Sequence, residues 1–433
     1  MSEVNYEYTS VPEPELGPSL ADGLPGSVDF DVMAFGGQAT VCSALPKQQR
    51  RSSAYQSEAQ LEEAFVKQLC RQGYERLVVS SEEELIANLR TQLEALNRVG
   101  FSDKEWARLF KGWVAADNDG IVEKTRRIQR DHVYALRMDD GSVRNVSLID
   151  KRNVHNNRMQ VMNQYAQQGS YDNRYDVTVL VNGLPLVHVE LKRRGVAIQE
   201  AFNQIERYQR DSFWSGCGLY EYVQIFVISN GTHTKYYSNT TRFSAIEERA
   251  GKKTRGKKSS NSFKFTSWWA AADNMPIYDL VPFTATFFAK HALLNILTRY
   301  CVFDVEEKLL VMRPYQIVAT ERILNRILVS ENNKDMLGTL RAGGYVWHTT
   351  GSGKTLTSFK TAQLASQMEG VDKVMFVVDR KDLDYQTMRE YDRFEKGAVD
   401  GSESTAVLAR QLANLDCRIL VTTIQKLACF IKK

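Results

Sequence analysis

The stretch Arg174-Tyr-Asp-Val-Thr-Val-Leu-Val-Asn-Gly-Leu-Pro-Leu-Val-His-Val-Glu-Leu-Lys-Arg-Arg-Gly195 decides how the first half of the chain folds. Tyr175 to Val181 and Leu186 to Leu191 are apolar, β-branched runs, and Asn182-Gly183 between them is a strong hairpin signal. Side chains alternate along a strand, so Glu190 and Lys192 share one face while Val189 and Leu191 fill the other. A carboxylate and a lysine among such neighbours cost free energy unless they face a site. Metal-dependent phosphodiester cleavage uses that combination: oxygen ligands for Mg2+, and a cation near the attacking water or scissile phosphate. Asp176 on the first strand is the candidate second carboxylate, and register decides whether it reaches Glu190. A two-residue loop pairs Val181 with Leu184 and leaves Asp176 opposite Val189. A three-residue loop, a bulge or an equivalent local twist sets Asp176 opposite Glu190, which the nuclease reading requires.

Upstream, Leu61, Phe65 and Leu69 recur at helical spacing from Ser57, with Gly73 as a stop. A second helix opens at Ser81, which forms a capping box with Glu84 and carries Leu85, Leu89, Leu93 and Leu96. His132 to Arg137 and Val143 to Ile149 flank Asp140-Gly141 as another hairpin. Downstream, a helix from Ile198 to Tyr208 places Gln204 and Tyr208 on one face, and Val223 to Ile228 reads as a strand. These elements predict a compact α/β domain over 53–247. Residues 1–52, with Pro12, Pro14, Pro18 and Pro25, read as an irregular leader. A basic linker and connecting segment covers 248–285; its 248–263 stretch is either a solvated loop or a contact to a DNA backbone. His188 shares a face with Glu190 and reads as structural or DNA-proximal, because nothing pairs it with a nucleophile.

The remainder, 286–433, changes character. Phe287 to Leu297 is helical in pattern, and beyond Leu310 the apolar runs Tyr345–Trp347, Val374–Val378 and Ile419–Val421 alternate with helical stretches, the layout of a parallel sheet. Tyr345-Val346-Trp347 leads into His348-Thr-Thr-Gly-Ser-Gly-Lys-Thr355. In such a loop the backbone from Thr350 through Gly351, Ser352 and Gly353 converges on phosphate oxygens, Lys354 pairs with the β/γ-phosphates and Thr355 holds Mg2+. The usual pattern has glycine where this chain has His348. Arg313-Pro314-Tyr315-Gln316 precedes the loop, and Gln316 has the paired donor and acceptor that suit an adenine edge.

With Asp379-Arg380-Lys381-Asp382-Leu383 and Val421-Thr422-Thr423-Ile424-Gln425, these segments resemble, in order, the Gln-tip motif and motifs I, Ia and Ib of superfamily 2 helicases and translocases. The resemblance implies an ATP site that includes Arg313 and Gln316, and nucleic-acid backbone contacts from Arg380, Lys381, Thr422, Thr423 and Gln425. The 174–195 passage, followed by Gln204 and Tyr208, closely resembles the nuclease domain of type I restriction enzyme R subunits, a PD-(D/E)xK fold. That implies catalytic roles for Asp176, Glu190 and Lys192, with Gln204 and Tyr208 as accessory residues. It also implies a first-helix carboxylate completing the metal site, for which Glu62 is chosen over Glu58 and Glu63. The resemblance spans roughly 55–433. The expected fold class is α/β: a PD-(D/E)xK nuclease domain, then the first, incomplete RecA-like parallel-sheet lobe of a superfamily 2 motor. The acidic Asp-Glu box, the second lobe and the arginine finger of that superfamily do not appear before Lys433, so an incomplete motor is expected. Implied cofactors are Mg2+ and ATP. Implied partners are double-stranded DNA and the methylation (M) and specificity (S) subunits of a type I complex. An ATP-dependent DNA repair nuclease-helicase and a non-cleaving DNA-binding remodelling module remain alternatives.

Composition sets looser bounds. The 433 residues are 43% hydrophobic and 25% charged, ordinary values that suit two or three domains. A net charge of +4 permits a nucleic-acid partner without requiring one. The 6 cysteines contain no C-x-x-C pair, which argues against a zinc cluster and fits a reducing compartment. No apolar run is long enough for a transmembrane helix, and the acidic N-terminus lacks a signal-peptide core, so no membrane partner and a cytoplasmic location are expected.

Overall fold

The computed structural model describes residues 39–43, 56–167, 173–211, 216–240, 261–379, 381–394, 400–401 and 404–432. Ser57 and Gln60 close a reciprocal capping box that starts α1 (Glu58–Arg71), and the chain leaves that helix through Gly73 at φ +87°. Ser81 caps α2 (Glu82–Asn97), but its box is incomplete: Glu84 Oε2 instead accepts from the Ser80 N–H and hydroxyl, at 2.7 and 2.9 Å. Two further helices follow, α3 (Asp103–Leu109) and α4 (Ile121–Gln129). The expected hairpin forms from β2 (Val133–Arg137) and β3 (Val143–Ser147), as a separate two-stranded sheet.

The main sheet has the order β1 (Glu75–Arg76), β4 (Met159–Gln167), β5 (Asn173–Val181), β6 (Leu184–Leu191), β7 (Ile225–Ser229), β8 (Thr234–Ser238). β6 and β7 run parallel, a pairing that needs a crossover, supplied by α5 (Ile198–Asp211). Every residue of β6 is buried, as befits a central strand covered on both faces. Sequence reading does not find β4: its Gln160, Asn163 and Gln164 mask the pattern, and its strand state comes from pairing with β5 and β1.

The expected linker does not behave as one throughout. Residues 241–260 lie outside the described residues, but β9 (Trp269–Ala270), β10 (Pro276–Ile277), α6 (Leu280–Phe287) and α7 (Lys290–Thr298) follow. Trp269, Phe283, Phe287 and Leu293 join the same core as the main sheet, with Trp269 edge-on to Tyr236 and Phe287 and α6 packed on α1. Gln68 Nε2 donates to Val281 O at 2.9 Å, the Tyr74 hydroxyl donates to Phe288 O at 2.8 Å, and Phe65 meets Phe288 edge-on at 5.4 Å. The helical run expected over 287–297 is therefore two helices broken after Phe287. Part of the leader is also tied down. The Thr40 N–H donates to Glu321 Oε1 at 3.0 Å, and Val41 and Cys42 are buried.

The remaining elements are β11 (Cys301–Phe303), β12 (Leu309–Val311), α8 (Pro314–Asn332), α9 (Lys354–Ala365), β13 (Val374–Val378), α10 (Lys381–Phe394), β14 (Asp400–Gly401), α11 (Thr405–Ala413), β15 (Ile419–Thr423) and α12 (Ile424–Ile431). β13, β15 and β14 form a parallel three-stranded sheet in that order, packed on Phe359 and Tyr391. The strand expected at Tyr345–Trp347 does not form, and Tyr345 and Trp347 are 91% and 87% exposed. Among the described residues no strand of the β13–β15–β14 sheet pairs with this segment. Among the described residues, no single helix is long and apolar enough to cross a membrane.

Candidate active site

Val181 pairs with Leu184, and Leu180 with Pro185, across the Asn182-Gly183 turn, where both residues have positive φ. The register then slips: Val179 pairs with Val187, Thr178 with His188 and Val177 with Val189. Leu186 is the extra residue of a bulge. Pro185 has no N–H to give the ladder, so the irregularity costs little there. One step further along this register sets Asp176 opposite Glu190, the arrangement that the nuclease reading requires.

Asp176 Oδ2 accepts the Leu191 N–H at 2.8 Å. Lys192 Nζ donates to Glu190 Oε1 at 3.0 Å, and its backbone N–H is held by Ser229 O at 2.8 Å. Burial, and then the neighbouring Glu190 charge, push Asp176 up to about 7. Burial likewise raises Glu190 to about 7, against the pull of Lys192. Burial disfavours charge on Lys192, but Glu190 beside it outweighs that and keeps the ammonium protonated. Behind them His188 is fully buried, edge-on to Tyr175 at 5.6 Å, and burial lowers it to about 4, so it is a neutral packing element at pH 7.

Two adjoining buried carboxylates are an arrangement short of positive charge. Glu190 Oε2 is buried 3.7 Å from His188 Nε2, beyond hydrogen-bond reach of that neutral ring. Mg2+ is commonly held by one or two carboxylates, with waters and a substrate phosphate completing the octahedron, so the donor set fits. A third carboxylate does not join it: among the described residues no group of three or more His, Cys, Asp or Glu comes together as a metal nest. Glu62 is instead engaged by Asn163 Nδ2 at 2.6 Å and by Gln164 Nε2, both from β4. Glu58, one turn earlier on α1, is the first-helix carboxylate beside the cluster, with Oε2 3.8 Å from Lys192 Nζ. Glu63 pairs with Arg76. Gln204 Nε2 donates to the Tyr208 hydroxyl at 2.5 Å, and that hydroxyl donates to Arg174 O at 2.9 Å. Together with the Tyr175–Tyr208 ring contact at 5.1 Å, this braces α5 against the strand that carries Asp176.

The Gly351-Ser352-Gly353 loop runs into a helix, as expected, though without a strand ahead of it. Gly351 and Gly353 take φ +76° and +79°, and α9 begins at Lys354, with Thr355 next in its first turn. Gln316 is engaged within the protein: its Nε2 donates to Ser352 O at 3.0 Å, and its Oε1 accepts the Arg313 N–H at 2.9 Å. The Tyr315 hydroxyl donates to the same Ser352 carbonyl at 2.8 Å, and His348 stands edge-on to Tyr315 at 5.6 Å. A cavity of about 1060 Å³ adjoins, lined by Arg313, Arg322, Arg326, Thr350, Gly351 and Ser352 among others. Arg380 lies outside the described residues, and Lys381 opens α10. Thr422 and Thr423 are fully buried in β15, where Thr423 caps α12, whereas Gln425 is exposed and donates to Asp379 O at 3.0 Å.

Residues 55–245 match the family described as the type I restriction enzyme R protein N terminus, and residues 315–433 match the SWI2/SNF2 ATPase family. Over 298 residues the chain is 48% identical to the type I restriction enzyme EcoprrI endonuclease subunit of Escherichia coli, covering 69% of this chain and 90% of that one. The chain belongs to the type I restriction enzyme endonuclease (R) subunit family. A longer relative, the type I restriction enzyme SauCOLORF180P endonuclease subunit of Staphylococcus aureus strain COL, is 41% identical over 381 residues. That alignment covers 87% of this chain but only 37% of the relative. Within this R-subunit family member, Pro185 is the sequence signal for the decisive bulge, and it lies in the very stretch that carries the carboxylates. Glu58 and Glu62 are indistinguishable by helical phase; the strand packed on each separates them.

Proposed function

We propose that the chain is the nuclease and first-motor-lobe portion of a type I restriction–modification complex, acting in the cytoplasm on double-stranded DNA. Its nuclease has the PD-(D/E)xK arrangement over 53–247, and 286–433 forms a RecA-like ATP-binding lobe. The partners are the methylation and specificity subunits, and cleavage is coupled to ATP-driven translocation by the whole subunit. The observation that carries this reading is the bulge that brings Asp176 beside Glu190 and Lys192, within the stretch that matches the R protein N terminus.

Asp176 and Glu190 hold Mg2+, with Glu58 rather than Glu62 as the neighbouring first-helix carboxylate. When bound, the ion offsets charge on the scissile phosphate and makes a ligated water more acidic. Lys192 keeps its proton and presents a cation to the phosphate. The Leu191 N–H orients Asp176, and Gln204 and Tyr208 keep β5 and α5 in register. In the motor lobe Lys354, Thr355 and the Thr350–Gly353 backbone receive ATP and its Mg2+, and Gln316 and Arg313 leave their mutual cap to meet the nucleotide. Arg380, Lys381 and Gln425 contact the DNA backbone, and Thr422 and Thr423 shape the strand end beside Gln425.

The test is Lys192→Ala in the assembled complex. DNA cleavage drops by about a hundredfold or more, the scale for losing one preorganised charge, while DNA-dependent ATP hydrolysis persists. Cleavage at the normal rate would sink the assignment.

A further inference from the structure

A row of residues runs across the main sheet from the carboxylates. Glu190 pairs with Ile228, and Ile228 pairs with Lys235, so these side chains share one face. Two strand spacings place Lys235 about 10 Å from Glu190. Lys235 is not alone there. Its Nζ lies 4.5 Å from the Trp268 ring centre and 4.7 Å from that of Phe263, and it donates to Thr266 Oγ1 at 3.0 Å.

Trp268 belongs to a second cluster at the surface. It meets Tyr278 edge-on at 4.8 Å, and His233 lies 5.9 Å from both rings. Tyr278 is 42% exposed, His233 is exposed and Trp268 is half-buried, so core packing does not account for the group. Its position is nevertheless fixed relative to the cleavage centre. His233 closes the β7–β8 turn, which follows Ser229, the residue that holds the Lys192 backbone. Arg194 bridges the same region, with Nη1 3.3 Å from Thr232 Oγ1 and Nη2 3.4 Å from Asp279 Oδ2, next to Tyr278.

Exposed His233 and Tyr278 and half-buried Trp268, beside Lys235, suit a ligand with a π-face and an anionic backbone. Aromatic platforms of this kind stack successive bases of single-stranded nucleic acid. Bases inside a duplex cannot offer that face. A strand advances 3.4 Å per stacked nucleotide, so the backbone spacing of about 10 Å between Glu190 and Lys235 equals the length of about three stacked nucleotides. We infer that His233, Trp268 and Tyr278, with Lys235, form a stacking platform for an unpaired nucleobase of the strand being cut. This inference rests on the reading of Asp176, Glu190 and Lys192 as a DNA-cleaving centre.

The test compares two probes on the 433-residue chain, with Ca2+ in place of Mg2+ to prevent cleavage. One is a fluorescein-labelled blunt duplex; the other is the same duplex with single-stranded thymine tails. The chain binds the tailed probe more tightly. Trp268→Ala combined with Tyr278→Ala weakens that binding by about tenfold or more, the scale of one lost base stack, and changes blunt-duplex binding by less than about twofold. His233→Ala and Tyr278→Ser, both at exposed positions, give the same selective loss in smaller measure and guard against misfolding of the double variant. Equal losses on both probes, no loss on either, or no preference for tails in the unaltered chain overturn the platform while the nuclease assignment stands. Failure of the unaltered chain to bind either probe overturns both.

Discussion

Replacing Glu190 by Gln tests whether the carboxylate pair is held at an electrostatic cost that a cation relieves. Glu190 is raised from 4.5 to about 7 by burial. At pH 4 both folded and unfolded chains carry this group protonated, and the shift contributes nothing. Between the unfolded value and about 7, the unfolded chain releases the proton and the folded chain keeps it, so stability falls as pH rises through that window. Above about 7 the penalty is complete. At 1.36 kcal/mol per pK unit it amounts to about 3 kcal/mol. The amide introduced by Glu190→Gln has nothing to ionise and, by removing a like charge, also relieves Asp176. Urea unfolding in EDTA at pH 4 and pH 8 measures the effect. The unaltered chain loses at least about 3 kcal/mol more than Glu190→Gln between those conditions, since the relief of Asp176 adds to the difference and only titrating groups away from the pair cancel. Adding Mg2+ at pH 8 restores stability to the unaltered chain and little to the variant. Parallel pH curves for the two proteins would refute the reasoning.

The other predictions concern the frame around the site. Gly183→Ala costs about 2–4 kcal/mol by chemical denaturation, because Gly183 has φ +81° and a Cβ there would stand 2.7 Å from Leu89 Cα in α2. A change below about 0.5 kcal/mol contradicts that close approach. Lys124→Ala costs about 3–5 kcal/mol in the same assay, because Lys124 is almost wholly buried and donates to Glu221 Oε2 at 2.6 Å and Gly218 O at 2.9 Å. The Lys124→Ala/Glu221→Ala double variant loses less than the two single losses combined; strict additivity argues against the pair.

The chemistry-bearing residues were legible because their signals are local. Asn182-Gly183 specifies a turn, the alternation of Val189, Glu190, Leu191 and Lys192 specifies a face, and Gly351-Ser352-Gly353-Lys354 specifies a loop ahead of a helix. The start of α1 near Ser57 and the strands expected at 374–378 and 419–421 belong to the same class. β4 was not legible, because polar residues sit at positions whose burial depends on which strands flank them. Tyr345–Trp347 was misleading for the complementary reason: its β propensity is high, but a strand exists only where another chain segment offers a ladder.

Sequence alone determined the residue types of the candidate carboxylate site and the glycine-rich loop, their order, and the need for an irregularity between Asp176 and Glu190. Tertiary structure decided where that irregularity falls, at the Pro185–Leu186 bulge. It also decided that Glu58 lies beside Lys192 while β4 amides take Glu62, and that Gln316 caps its own helix and holds the phosphate loop. Turn type and side-chain alternation depend on neighbours in the chain. Register across strands, burial of a charge and the choice among equivalent carboxylates depend on what packs against them.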